Sequence, residues 1–231
     1  LYAVLKELNQ INKNIITVED PVEYKLDGIN QVQVNMKAGL TFASGLRSIL
    51  RQDPDIVMVG EIRDRETAEI AVRAAITGHL VLSTLHTNDT ASSISRLIDM
   101  GIDSFMISSA LVGIIAQRLV KKICKYCRVE YTANEKEKQL LGEKGDLKVY
   151  RGKGCNACNN TGYLGRTAIH EIMAVNREIR NLINHNEYTD TIKDKAVEDG
   201  MLTLFSSCKL LVLEGTTTID ELLRVTYSVD I

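Results

Sequence analysis

Four cysteines in the second half of the chain have the spacing of metal ligands. Cys124 and Cys127 form one C-x2-C pair, and Cys155 and Cys158 form another further along the chain. Two thiolate pairs in this pattern are typical of a structural Zn²⁺ site, in which four sulfurs close the coordination sphere. Two disulfides are the alternative, which is disfavoured because no signal peptide is visible. The fifth cysteine, Cys208, lies in an apolar helical stretch and is expected in the core.

Charged and hydroxyl side chains follow three short apolar segments in the first half of the chain. The segments are residues 15–18, followed by Glu19, Asp20 and Glu23; residues 56–59, followed by Glu61 and Arg63; and residues 80–85, followed by His86 and preceded by His79. Their β-branched, non-alternating composition predicts parallel strands that are buried on both faces. The carboxyl ends of such strands meet at one edge, where carboxylates need a cation such as a magnesium-bound phosphate.

Each of these residues also has an interpretation without catalysis. Glu61 could be solvated or could cap a helix, as Asp64 is expected to do. His86 taken alone is more often a satisfied histidine than a catalytic one. Arg47 and Arg51 are four residues apart on one face of a predicted helix and by default form a solvated stripe. The convergence of three strand ends is what favours a functional site.

The order of predicted strands and helices along the chain indicates an α/β protein. Its 231 residues are 45% hydrophobic and 25% charged, which is a globular composition, and no apolar window is long enough for a transmembrane helix. The net charge of −2 argues against a surface devoted mainly to nucleic acid. Further predicted elements are a strand at 31–34, helices at 41–52 and 65–77, a buried helix at 104–119, a strand at 167–175 and three helices after it.

Three segments resemble the motifs of one family, the type II secretion and type IV pilus assembly ATPases. Residues 18–23 (VEDPVE) resemble its Asp box, residues 50–64 (LRQDPDIVMVGEIRD) its Walker B segment, and residues 78–88 (GHLVLSTLHTN) its His box. The family's phosphate-binding loop, G-x-x-x-x-G-K-[ST], is absent from this sequence. In the family that loop precedes a Leu-Tyr-Ala like residues 1–3. The resemblance therefore implies a chain that begins just after the loop.

The resemblance implies a truncated RecA-like parallel-sheet core, ATP and Mg²⁺ as ligands, and roles for the charged residues. The implied roles are Glu19 as general base, Glu61 as Mg²⁺ ligand, His86 and His79 at the γ-phosphate, Asp20 and Glu23 as further nucleotide-binding residues, and Arg47, Arg51 and Arg63 as arginines that reach a phosphate across a subunit interface. Arginine suits that role because its planar fork matches phosphate oxygens. Which glutamate is the base stays open.

The resemblance further implies a hexameric motor at the inner face of the cytoplasmic membrane. Its partners would be inner-membrane secretion or pilus platform proteins, with no nucleic acid, and the tetracysteine element favours secretion or pilus assembly over retraction. The expected domains are an ATPase core at 1–120, a zinc element at 121–165, and a C-terminal strand and helical subdomain at 166–231. The alternative is a zinc-binding interaction module with a degenerate, inactive core.

Overall fold

The computed structural model describes residues 1–227, which cluster into two compact units. The first comprises residues 1–87, 91–112 and 175–192, and the second comprises residues 88–90, 113–174 and those from 193 onward. No helix within the described residues is both long enough and apolar enough to cross a membrane. The three-part division of the chain expected from the sequence stays a prediction.

Helices and strands alternate in the first half of the chain, and antiparallel strands dominate the middle. The helices are α1 (Tyr2–Leu8), α2 (Phe42–Ile49), α3 (Arg65–Ile76), α4 (Thr90–Asp99), α5 (Ser104–Ala110), α6 (Glu135–Leu141), α7 (Arg177–Asn184), α8 (Thr189–Glu198), α9 (Leu204–Leu213) and α10 (Ile219–Tyr227). The strands are β1 (Ile15–Glu19), β2 (Asn30–Gln33), β3 (Ile56–Val59), β4 (Leu80–Ser83), β5 (Gly113–Ile123), β6 (Arg128–Thr132), β7 (Lys148–Gly152) and β8 (Tyr163–Ala174).

A four-stranded parallel sheet forms the centre of the first unit. Its order is β2-β1-β3-β4, and Thr17 lies beside Gln31 on one side and Met58 on the other. Strands β1 and β3 are buried along their whole length, as their composition predicts. The expectation of full burial is wrong for β4, whose Leu80 is 42% exposed. The reason is its position, because β4 is an edge strand of the sheet formed by residues 1–227.

Capping interactions begin the two helices that flank the strand ends. Thr41 and Ser44 form a reciprocal capping box at the start of α2. Asp64 accepts a hydrogen bond from the Thr67 N–H at 2.8 Å and caps α3, as predicted. Gly78 follows α3 with a φ of 107°, so the chain reverses there into β4. These local signals confirm both predicted helices and fix where the loops after β2 and β3 end.

The second unit contains a long antiparallel ribbon where the sequence predicted a helix. The predicted helix at 104–119 ends at Ala110, and residues from Gly113 onward form β5, which pairs with β8. Burial alternates along β5, and Ile115 is 62% exposed, so this segment is not the buried helix that was expected. The β-branched residues of 111–123 suit a strand, and pairing with β8 overrides the helical spacing.

Helices cover the inner face of this ribbon. Cys208 on α9 is fully buried in the cluster that includes Val120 and Ile169, which confirms its predicted core position. Four helices follow β8 within the described residues, one more than predicted. Glu171 is only 1% exposed, and its Oε1 accepts from the Thr90 N–H (2.9 Å) and hydroxyl (2.6 Å). Its Oε2 accepts from the Leu204 N–H at 3.1 Å, so one carboxylate satisfies donors at two helix starts.

Candidate active site and metal centre

The carboxyl ends of β1, β3 and β4 border a cleft of about 300 Å³. Glu19, Glu61 and His86 line it, one from the end of each strand or the loop that follows, together with Asp20 and Glu23. The parallel register places these ends at one edge of the sheet. The sequence segments that were expected to converge therefore do so.

Glu19 is buried and surrounded by neutral hydrogen-bond donors. Only 3% of the Glu19 surface is exposed to solvent. The hydroxyl of Tyr2 donates to Oε2, the hydroxyl of Thr17 donates to Oε1 at 2.5 Å, and the Gln31 amide donates to Oε1 at 3.2 Å. No ion pair to Glu19 occurs within residues 1–227. The carboxylate is thus held in one orientation by hydrogen bonds alone.

The sequence interpretation missed these donors, although part of the signal was present. Thr17 and Glu19 are two residues apart on a strand and so share one face of the sheet. Polar residues alternating on an otherwise apolar, buried strand indicate a hydrogen-bonded pair. Gln31 pairs with Thr17 in the neighbouring strand, but that register is not visible in the sequence. Tyr2 comes from α1, and nothing in the local pattern predicts its contact with Glu19.

Glu61 differs from Glu19 because one of its partners, Arg63, is a cation. One oxygen, Oε2, accepts from Arg63 Nε at 2.5 Å and lies 3.2 Å from His86 Nε2, where the ring N–H is the donor. The Glu61 side chain is 13% exposed. The hydrogen bond from Arg63 holds the pKa of Glu61 below its usual value against the opposing effect of burial, and the His86 contact adds to the lowering. An ionised carboxylate at this position is suited to act as a ligand of Mg²⁺.

The other arginines and His79 lie away from the residues that line the cleft. Arg47 on α2 forms an ion pair with Glu66 at 2.6 Å, with both side chains more than half exposed. Arg51 is exposed in the short 3₁₀ turn that precedes β3. His79 precedes β4, so it lies at the amino end of the sheet, where its Nδ1 is 3.1 Å from the Ala74 carbonyl. A nucleotide contact of His79 stays a prediction, which this position disfavours.

The four predicted zinc ligands meet at one point. Their sulfur atoms lie within 4.8 Å of one another, and no disulfide joins them. The Cys124–Cys155 and Cys127–Cys158 sulfur separations are each 3.9 Å, and that of Cys155–Cys158 is 3.7 Å. A regular tetrahedron with Zn–S bonds of about 2.3 Å requires sulfurs about 3.8 Å apart. The donor set and its geometry therefore fit Zn²⁺.

Backbone groups prepare this site for thiolates. The N–H groups of Cys155 and Gly162 each donate to Cys158 Sγ at 3.3 Å. Burial raises the pKa of the Cys158 thiol, but these hydrogen bonds outweigh it and hold the pKa at about 6. Burial raises the pKa of the Cys127 thiol to about 12. The Cys158 sulfur is thus ready to bind as a thiolate, whereas the Cys127 sulfur needs a bound cation to favour its deprotonated form.

Two glycines allow the second cysteine loop to cross the backbone of β7. A Cβ on Gly152 would lie 2.1 Å from the Gly162 carbonyl oxygen, and a Cβ on Gly162 would lie 2.7 Å from that of Gly152. Gly162 also has a φ of 76°, which other residues rarely adopt. Its carbonyl accepts from the Cys124 N–H at 2.9 Å. Gly162 therefore contacts both cysteine pairs through its backbone.

Comparison with known proteins gives the same family as the motifs. The type II/IV secretion system protein family matches residues 1–224. The chain belongs to this family. Type II secretion system protein E of Pseudomonas aeruginosa is 52% identical over 228 residues, and the type IV pilus assembly ATPase PilB of Thermus thermophilus is 50% identical over 229 residues. The resemblance inferred from the motifs is confirmed.

The family member described here spans less than half of these curated relatives. The match to the Pseudomonas protein includes 98% of this chain but only 45% of the Pseudomonas protein. The match to the Thermus protein includes 97% of this chain but only 26% of the Thermus protein. A crystal structure of the pilus retraction motor PilT with bound ADP has 30% identity and a TM-score of 0.72, with coverage of 97% of this chain and 56% of PilT. The RecA-like α/β core is thereby confirmed.

Proposed function

We propose that this chain is the C-terminal part of an ATP-hydrolysing motor for type II secretion or type IV pilus assembly. The observation that carries the proposal is the meeting of Glu19 and Glu61 at one cleft, at the carboxyl edge of a parallel sheet. Glu19 has only neutral partners, whereas Glu61 has a cationic partner in Arg63, so their environments differ. Different environments suit two different roles in the same reaction.

The two glutamates divide the work at the phosphates. Glu19 orients the attacking water, because its carboxylate is fixed by three donors. Glu61 would hold Mg²⁺, which neutralises charge on the β- and γ-phosphates. His86, whose Nε2 lies 3.2 Å from Glu61, would contact the γ-phosphate. Asp20 and Glu23, which line the cleft, are further candidates for nucleotide contacts. His79 is the weakest candidate, because it precedes β4 at the amino end of the sheet. Arg63 lies beside Glu61, and Arg47 and Arg51 are candidates for a neighbouring subunit's phosphate.

The tetracysteine site would hold one structural Zn²⁺ within an element spanning residues 121–165. The core at 1–120 and the subdomain at 166–231 complete the proposed division. If Arg47 and Arg51 reach a neighbouring subunit's phosphate, the active form is an oligomer, and the family resemblance implies a homo-hexamer. It works at the inner face of the cytoplasmic membrane through secretion or pilus platform proteins, and no nucleic acid takes part.

The test is ATP hydrolysis by the full-length protein that carries this chain. Glu61→Gln keeps the shape of the side chain and removes its charge, so turnover should fall by about 100-fold or more. Glu69→Gln is the matched control, because Glu69 pairs with Arg73 on the exposed side of α3. The 231-residue chain alone has no phosphate-binding loop and should bind ATP no more tightly than about millimolar. A full-length protein without hydrolysis but with zinc would favour the interaction-module alternative.

A further inference from the structure

The hydroxyl of Tyr2 connects two acidic residues of the cleft. It donates to Glu19 Oε2 and accepts from the Glu23 N–H and from the Gln31 side-chain amide, each at 3.2 Å. A phenol offers one donor and two acceptor positions, so its hydrogen-bonding capacity is filled. Burial, followed by the hydrogen bond to Glu19, raises the pKa of Tyr2, and the hydroxyl therefore keeps its proton and remains a donor.

The ring of Tyr2 is held by packing, so the hydroxyl is a fixed point. Tyr2 packs against the apolar cluster that contains Leu5 and Met58. Its ring meets that of Tyr24 edge-on, with centroids 4.6 Å apart. Leu5, one turn further along α1, is fully buried and anchors the helix. The position of the Tyr2 oxygen is thus set by the core.

The contacts to Glu19 leave one acceptor position on its carboxylate open to a further hydrogen-bond donor. Each carboxylate oxygen can accept about two hydrogen bonds. Oε1 accepts from both Thr17 and Gln31, whereas Oε2 accepts only from Tyr2 within the described residues. Glu19 lines the cleft. The remaining acceptor position on Oε2 is therefore the one available to a water molecule.

We propose that Tyr2 is a positioning residue for hydrolysis, whose hydroxyl fixes Glu19 Oε2 and the Glu23 backbone so that the carboxylate can orient the attacking water. The inference rests on the proposed function and adds to it a residue outside the recognised motifs. Tyr2 itself acts through Glu19 and touches neither phosphate nor metal.

The kinetic test uses the full-length protein with Tyr2→Phe, which keeps the ring and removes the hydroxyl. A lost hydrogen bond to a charged group should lower kcat by about tenfold, with the KM for ATP unchanged and the protein still folded, although its melting temperature should fall modestly. Tyr24→Phe is the matched control, because it removes a neighbouring hydroxyl that does not contact Glu19. In a Glu19→Gln background, Tyr2→Phe should cause no further loss, since its only route to the reaction is gone.

A spectroscopic test needs no activity. In the 231-residue chain labelled with ¹³C at glutamate carboxyls, the Glu19 resonance is identified by its absence in Glu19→Gln. It should move in Tyr2→Phe and stay in place in Tyr24→Phe. A normal kcat or an unmoved resonance in Tyr2→Phe overturns the inference. If Glu19→Gln is itself fully active, the proposed role of Glu19 is what fails, and the inference falls with it for that separate reason.

Discussion

The cleft and the tetracysteine site both use groups that suit a cation, but they hold those groups in opposite ways. At the tetracysteine site the four sulfurs face one another, and the backbone N–H groups of Cys155 and Gly162 donate hydrogen bonds to the Cys158 sulfur. At the cleft each carboxylate faces its own partners, which are Arg63 and His86 for Glu61 and neutral donors for Glu19. The first arrangement is complete within one chain. The second is open and requires a ligand, and in our proposal a second subunit, to complete it.

The largest expected effect comes from removing one of the four cysteine ligands of the tetracysteine site. Purified protein should contain close to one zinc per chain, and Cys158→Ser should remove most of it, because binding at such a site contributes about 10–16 kcal/mol of apparent free energy to folding. Hydrogen exchange should then rise in residues 121–165. Elemental analysis measures the zinc content, and amide exchange measures the loss of protection.

Cys208→Ser is the control, since Cys208 lies in the helical core and its replacement should leave the zinc content unchanged. Metal-free protein with all four cysteines reduced and ordinary stability would contradict the closed-site interpretation.

The next effect tests whether the cleft is completed by another subunit. Arg47 already pairs with Glu66, but the Arg51 side chain has no ion-pair partner within residues 1–227. An arginine supplied in trans contributes roughly 10³–10⁵ in rate in other nucleotide hydrolases. Full-length Arg51→Ala should therefore lose turnover to that extent, measured as phosphate release, with the fold intact.

The control for Arg51 is Arg73→Ala, which removes an exposed arginine of α3 and should change stability by less than about 0.5 kcal/mol. Mixing Arg51→Ala with Glu61→Gln subunits separates trans from cis action. In mixed hexamers some interfaces pair an intact Arg51 with an intact Glu61, so activity should partly return. No recovery in hexamers shown to be mixed would assign Arg51 to its own subunit.

A moderate effect is expected from Gly162, which tests how tightly the cysteine loops are packed. Gly162→Ala combines a positive φ with a contact of 2.7 Å to the Gly152 carbonyl, so unfolding free energy should fall by about 2–3 kcal/mol. Gly165→Ala has nearly the same φ, 79°, with nothing within 4 Å, and should cost about 1 kcal/mol. Urea unfolding of the zinc-loaded chain measures the difference. Equal losses in the two variants would mean that the loops do not need their close approach.

The smallest effect is a pH dependence that belongs to the cleft. The lowered pKa of Glu61 means that its pairing with Arg63 stabilises the folded state above the unfolded value near 4.5 and is lost as the pH falls through the lower folded value. The difference in unfolding free energy between the natural chain and Glu61→Gln should therefore shrink as the pH falls from the unfolded value near 4.5 through the lower folded value. Both chains carry the same cysteine site, so its acid sensitivity cancels. A difference that grows on acidification would contradict the Glu61–Arg63 pairing.

The sequence predicted those parts of the molecule whose signals are local. The cysteine spacing, the Asp64 cap and the β-branched runs of β1 and β3 all lie within a few residues of the feature that they specify. The strand β5 was missed because residues 111–120 suit either helical or strand spacing, and its partner β8 lies some fifty residues away in the chain. The donors to Glu19 were missed for a similar reason, since Tyr2 and Gln31 reach it from α1 and β2. Long-range pairing, not composition, decides both cases.

Glu171 gives a rule for interpreting natural variation in this chain. Both of its oxygens receive N–H groups, from Thr90 on one side and Leu204 on the other. Glutamine has a single oxygen, so in either rotamer its NH₂ group would face one of those N–H donors, and aspartate is one methylene too short to bridge them. An unpaired buried donor costs about 1–3 kcal/mol. A variant with glutamine at this position, which substitution tables score as mild, should therefore be treated as damaging.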